Sequence, residues 1–150
     1  VFSFKRETKV CILLIGLLSL AFILNPSQDT DKTEHYLLMQ PIAEAINTGD
    51  FSHFKEISED KISINFEPPF KLKGYVTIHR FIDEFSAIYA LFKADELEWT
   101  SKQIGENFGV QSLNVILRNR KSEKEIYYKL IFFMKKEIEW KIYYLKGLKI

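Results

Sequence analysis

Glu125-Ile-Tyr-Tyr-Lys-Leu-Ile-Phe-Phe-Met-Lys-Lys-Glu-Ile-Glu-Trp-Lys-Ile-Tyr-Tyr-Leu-Lys-Gly-Leu-Lys149 is the stretch that decides the fold class. Ile126, Tyr128, Leu130, Phe132 and Met134 alternate with Tyr127, Lys129, Ile131 and Phe133, which is the period of a β-strand. Lys135-Lys-Glu137 reads as a turn and residues 139–148 as a second strand, so the two make an antiparallel hairpin. Both faces of this hairpin are largely apolar. Trp140, Ile142 and Tyr144 are expected on one side, opposed by Tyr143 and Leu145 on the other. One face must cover helices, and the second then needs a partner, a ligand or an extra segment over it.

Upstream of the hairpin the pattern stays strand-like back to Asp95. Leu97 and Trp99 alternate in one strand, Leu113, Val115 and Leu117 in the next, and Asn119-Arg-Lys-Ser122 turns the chain into the hairpin. Before Asp95 the period is helical. Ile78, Phe81, Ile82, Phe85, Ile88, Tyr89 and Phe92 form one apolar stripe, with Thr77 placed to cap its N-terminus. Lys61-Ile-Ser-Ile-Asn-Phe66 alternates as a half-buried strand that Glu67-Pro-Pro69 ends, and Phe70-Lys-Leu-Lys-Gly74 makes a second short strand. Leu38, Ile42, Ala45 and Ile46 mark a helix over 35–47 with Pro41 in or near its first turn. Thr48-Gly-Asp50 closes that helix and opens a shorter one carrying Phe51, Phe54 and Ile57. Helices first and hairpin-linked strands afterwards predict an α+β fold, with helices packed on a curved antiparallel sheet.

Residues 1–33 read as an address rather than as part of that fold. Lys5, Arg6 and Lys9 precede an unbroken apolar run from Val10 to Leu24, which fits a secretory signal peptide. Ser19-Leu-Ala21 places small residues where a signal peptidase cuts, giving a signal peptide over 1–21, a polar linker over 22–33 and one domain over 34–150. The expected location is therefore exported, periplasmic or secreted. An uncleaved anchor reaching residue 24 is the alternative, although the run is short for a span of roughly twenty residues. Only in that case would the chain be held at a membrane.

Composition narrows the function classes. The chain has 150 residues, 47% hydrophobic and 15% aromatic with 13 Phe, enough for one sizeable core. Its formal charge is +1; removing Lys5, Arg6, Lys9 and Glu7 from 21 basic and 20 acidic residues leaves 18 and 19. A near-neutral body has no general attraction to nucleic acid, so none is expected as a partner. Cys11, the only cysteine, lies in the apolar run, so the cleaved chain would have neither disulfides nor thiol chemistry. His35, His53 and His79 match no zinc spacing, and neither metal nor cofactor is expected.

The element order, with Ala45-Ile-Asn-Thr-Gly-Asp-Phe51 at the first helix junction, Lys73-Gly-Tyr75 before the long helix and Glu139-Trp-Lys-Ile142 in the last strand, resembles the nuclear transport factor two-like superfamily. The resemblance covers roughly residues 34–148, and the chain is especially similar to a small exported bacterial family of unknown function within it. It implies a cone-like sheet wrapped around helices. That superfamily includes ketosteroid isomerases, polyketide cyclases and dehydratases beside many non-catalytic binding and dimerising domains. Its enzymes usually place an Asp, or an Asp with a His, inside the cone. After Asp95 the strands here contain no Asp, which argues against catalysis.

The remaining acid–base pair is His79 with Asp83, four residues apart on one helix face. The same spacing is common on exposed helix faces, where it does nothing. Thr100, Gln111, Asn114 and Tyr128, with Trp99 nearby, are expected to line the cone, where they would hydrogen-bond a small apolar ligand. Tyr127, Phe133 and Tyr143 are the expected interface residues of a homodimer. Lys71, Lys73, Arg80, Arg118, Arg120, Lys121 and Lys124 make basic spots at turns, as solvated turns ordinarily do. The residues thus support two functional readings. The favoured one is an exported non-catalytic domain that binds or self-associates through its strand face; the alternative is an isomerase or dehydratase using the cone interior.

Overall fold

The computed structural model describes the backbone of residues 30–150 and the side chains of 38–150 except Ser101. The chain divides into two compact units, Val1–Tyr36 and Leu37–Ile150. The signal peptide expected over 1–21, its anchor alternative to 24 and most of the 22–33 linker lie outside the described residues. The second unit, entered through a helix, holds the sheet and its core.

Helix α1 (Thr30–Thr48) is followed by a single turn, α2 (Phe54–Ile57), strands β1 (Ser58–Phe66) and β2 (Lys73–Thr77), and helix α3 (Ile78–Tyr89). Strands β3 (Phe92–Ile104), β4 (Phe108–Asn119), β5 (Glu125–Lys136) and β6 (Trp140–Lys149) complete the chain. They form one curved sheet, in the order β2-β1-β6-β5-β4-β3. Every neighbouring pair is antiparallel except β1 with β6, which run parallel. The sheet is therefore mixed rather than wholly antiparallel. Period-2 patterning shows which residues share a face but not which strands pair, so the crossover from β1 to β6 leaves no mark in the sequence.

The helical residues bury their stripes against the concave face of this sheet. Thr77 caps α3 as its sequence implies, its side chain accepting from the Arg80 amide at 3.3 Å. Phe81, Phe85 and Tyr89 point inward, and their rings join Phe51, Phe54, Phe66 and Phe70 in one cluster. Phe85 stacks on Phe70 at 4.5 Å between centroids and meets Phe51 edge-on at 4.9 Å. Such ring pairs add about 0.5–1.5 kcal/mol each to the burial of their area. The Tyr89 hydroxyl donates to the Ile46 carbonyl, tying α3 to α1.

Several local expectations shift. Helix α1 begins at Thr30, within the stretch expected as linker, since residues 30–33 contain no Gly or Pro to stop it. Pro41 consequently lies inside the helix rather than in its first turn, where it removes one interior hydrogen bond. The second short strand lies at Lys73–Thr77, not 70–74, because Lys71 adopts a positive φ of 52° that interrupts extended chain. Phe70 is instead a core residue of the preceding turn. Phe92 belongs to β3 and not to the helix, which closes with the Ala90 amide on Ser86.

The closing hairpin departs furthest from simple alternation. Phe133 pairs with Tyr144 and Met134 with Ile142, so Tyr143 is the extra residue of a bulge. The bulge reverses the parity of β6 beyond it. Trp140, Ile142, Leu145 and Gly147 face the core, while Tyr144 leaves the side of Trp140 and joins the outer face.

Candidate functional site

The expected site residues of Leu37–Ile150 fall at the concave interior, on the outer face of the sheet and on helix α3. Among the described residues the interior is packed with core side chains. One cavity among them, walled by Ile46, Phe51, Phe66, Phe85, Phe132 and Leu145 among others, measures about 10 Å³, hardly room for one water. The lining of that cavity is wholly apolar.

The expected cone-lining residues do not converge. Gln111 does face inward beside Phe132 and is only 1% exposed, with neither amide atom hydrogen-bonded among the described residues. An unpaired buried amide costs about 1–3 kcal/mol, so Gln111 is an anomaly in an otherwise apolar wall. Asn114 lies on the opposite face. It is three residues from Gln111 on β4, pairs with Lys129 and points outward, which corrects the expectation that both line the interior. Thr100 sits at a bulge, where its hydroxyl meets that of Ser112 at 3.0 Å. Trp99 is half-buried on the inner side, its ring 6.1 Å from Phe132. Tyr128 is wholly buried and its hydroxyl is committed to the Glu67 carbonyl at 2.9 Å. Burial pushes the Tyr128 and Tyr89 hydroxyls well above the ordinary tyrosine pKa.

His79 and Asp83 are both exposed on α3, and no hydrogen bond or ion pair joins them among the described residues. His53 is exposed beside Glu56 at 3.6 Å. Among the described residues no three His, Cys, Asp or Glu side chains gather around a point where a metal ion would sit. The basic turns are partly occupied. Arg118 is held by Asp95 at 2.6 Å, Glu125 at 2.8 Å and Glu123 at 3.6 Å, and Arg120 donates to the Phe92 carbonyl. The neighbouring Asp95 charge raises the Arg118 pKa further above its already high value.

The outer face carries an uncovered aromatic row. Reading across the strands, Tyr75, Ser63, Tyr144, Phe133 and Val110 lie side by side in register. Phe133 and Tyr144 stack at 4.8 Å and 21°. Ile131 and Ile116 continue the apolar surface, and Tyr127 (54% exposed) and Tyr75 (69%) stand clear of the sheet. Tyr143 and Tyr144 also wall a shallow groove with Asn65 and Lys73. Sequence reading found Tyr127, Phe133 and Tyr143 on this side but missed Tyr144. No residue type announces the bulge that turns Tyr144 outward, and only the pairing register reveals it.

No family model matches the sequence, and no curated protein does. Solved structures do resemble it. A DUF4783 family protein from Bacteroides uniformis superposes with a TM-score of 0.61 at 11% identity, over 74% of this chain and 95% of its own. An NTF2-like protein of unknown function from Shewanella baltica gives 0.60 at 10% identity, over 84% and 98%. A putative isomerase from Rhodopseudomonas palustris gives 0.58 at 10%, over 77% and 88%. Identities this low speak for architecture alone. With the element order, the sheet and the packed concave face, they make the fold of this chain that of the NTF2-like proteins.

Proposed function

We propose that this chain is an exported, non-catalytic domain that self-associates as a homodimer through the outer face of its sheet. The observation that carries this reading is the row Tyr75, Tyr144, Phe133 and Val110, an apolar surface with nothing over it among the described residues. The close packing of the core rings supports it from the other side, since the cavity of about 10 Å³ among them is too small for a substrate. Aromatic residues at the centre of an uncovered face are the usual anchors of a protein interface. Sedimentation of residues 22–150 over a dilution series tests it: a reversible dimer at tens of micromolar is expected, and a monomer throughout would refute it. Export rests on the basic start and the apolar run from Val10 to Leu24. An N-terminus at Phe22 or later in exported protein is the expected result, and an intact N-terminus would replace export by anchoring.

One observation favours the isomerase or dehydratase alternative, namely the amide of Gln111, buried on the concave side without a partner among the described residues. That reading requires the interior to open and Gln111 to meet a ligand there. It also gives His79 and Asp83 the roles of base and orienter. Turnover or ligand binding lost in Gln111→Leu, His79→Ala or Asp83→Ala would support it, and no change in all three would end it.

A further inference from the structure

The outer face of the sheet changes sign from one edge to the other. On the β2–β1 edge Lys73 and Lys61 point outward, alternating with the buried Val76, Ile62 and Ile64, and both are exposed. At the opposite edge Glu96 and Glu98 of β3 lie beside Ile116 and Asn114, on the side of β4 away from the buried Val115, and both are exposed. Among the described residues none of these four charges has an ion-pair partner, unlike much of the remaining charge on this face. Lys93 and Arg118 are held by Asp95, at 3.8 Å and 2.6 Å, and Lys135 by Glu59 and Glu137 at 3.6 Å and 3.2 Å. Lys129 and Lys146 stand between the edges, on the central strands β5 and β6.

Two copies of one sheet face that pack in aligned fashion are related by a two-fold axis lying between them, directed either across the strands or along them. An axis across the strands lays the lysine edge over a second lysine edge and carboxylates over carboxylates. An axis along the strands reverses the strand order between the copies, so the lysine edge of each covers the carboxylate edge of the other. The middle of the order β2-β1-β6-β5-β4-β3 falls between β6 and β5, where Tyr144 and Phe133 pair in register. About that line each Tyr144 meets the Phe133 of the second copy, and the aromatic centre is self-complementary as well. Lys73 lies in the row Lys73, Asn65, Lys146, Ile131, Ser112, and Glu98 in the next row, beside Asn114 and Lys129. Adjacent rows are about 7 Å apart along a strand, within reach of a lysine side chain.

Resting on the homodimer proposed above, we infer that the second copy docks with its two-fold axis along β5 and β6, so that Lys73 of each copy is set against Glu98 of the other. Charge complementarity between the two edges thus selects one orientation of the dimer and disfavours the other. The test is sedimentation of the full chain, of Lys73→Glu, of Glu98→Lys and of an equimolar mixture of the two variants. Each variant alone is expected to dimerise at least about tenfold more weakly than the parent, because the symmetry repeats every reversed contact twice. Mixing them restores opposite signs at both contacts, so the mixture is expected to dimerise about as tightly as the parent, and so is the chain carrying both substitutions. Both positions are exposed, and the unfolding midpoints should match the parent's. The neutral variants Lys73→Gln and Glu98→Gln should each weaken the dimer several-fold and provide the same comparison with smaller changes. A parent dimer that either reversed variant leaves at full strength, or a mixture no tighter than its components, would overturn the orientation and leave the homodimer standing. A parent that stays monomeric at tens of micromolar would overturn both.

Discussion

Gly147 lies where Phe66 and Tyr128 converge, and a Cβ there would stand 2.4 Å from the Phe66 ring and 2.6 Å from the Tyr128 hydroxyl. Both neighbours are core groups, and the Tyr128 hydroxyl is bound to the Glu67 carbonyl, so neither moves aside freely. Gly147→Ala is predicted to destabilise the domain by about 1–3 kcal/mol, the usual cost of overpacking, as read in urea unfolding. A loss below about 0.5 kcal/mol would mean that the last strand is looser than its packing implies. Tyr128 and Tyr89 also set a pH dependence. Their folded pKa values lie above the ordinary value of 10.0, because burial disfavours the phenolate. Their contribution is thus complete below pH 10 and falls away as pH rises from there toward the folded values. Unfolding free energy should hold steady from pH 8 to about 9.5 and then decline, and more shallowly in Tyr128→Phe, which has no proton to lose. A profile equally steep in that variant would assign the alkaline loss to other groups.

At the scale of elements, much of the fold was legible and the failures have identifiable causes. The α3 stripe and its Thr77 cap could be read because cap, period and burial agree on the same residues. Strands β4 and β5 could be read because their alternation is unbroken through Leu113, Val115 and Leu117 and through Tyr128, Leu130 and Phe132. The bulge at Tyr143 could not, since a run of Tyr-Tyr-Leu satisfies either parity and the choice is made by pairing with Phe133 and Met134. Asn114 was placed inside because its polarity suggested a site, although its spacing from Gln111 already put the two on opposite faces. Helix α3 provides the sharpest check of the packed interior. Phe85→Ala removes the ring that contacts Phe51, Phe66, Phe70 and Phe81, and should cost about 3–5 kcal/mol in thermal or urea unfolding. That is a large part of the roughly 5–15 kcal/mol typical of a domain, so a clearly lowered unfolding midpoint is expected. Stability equal to the parent would show that the interior tolerates empty space.

Across the whole Leu37–Ile150 unit, the two faces of one sheet have been given different tasks by the same alternating strands. Inward positions are spent on an aromatic core around a cavity of about 10 Å³, and outward positions keep Tyr75, Tyr127, Phe133 and Tyr144 without a cover among the described residues. If that outer row is an interface, one charge at its centre should break it without touching the core. Phe133→Lys is predicted to lower dimer affinity at least about a hundredfold, near 2.7 kcal/mol, while its unfolding midpoint as a monomer stays close to that of the parent. Sedimentation and urea unfolding of the variant read the two halves of that statement. The most direct measurement of all is native mass spectrometry of the purified 22–150 chain, which weighs partner and ligand together. The predicted spectrum is a dimer with no small molecule held in its interior; a monomer that carries a co-purified apolar ligand would contradict it and move the working site to the concave face around Gln111.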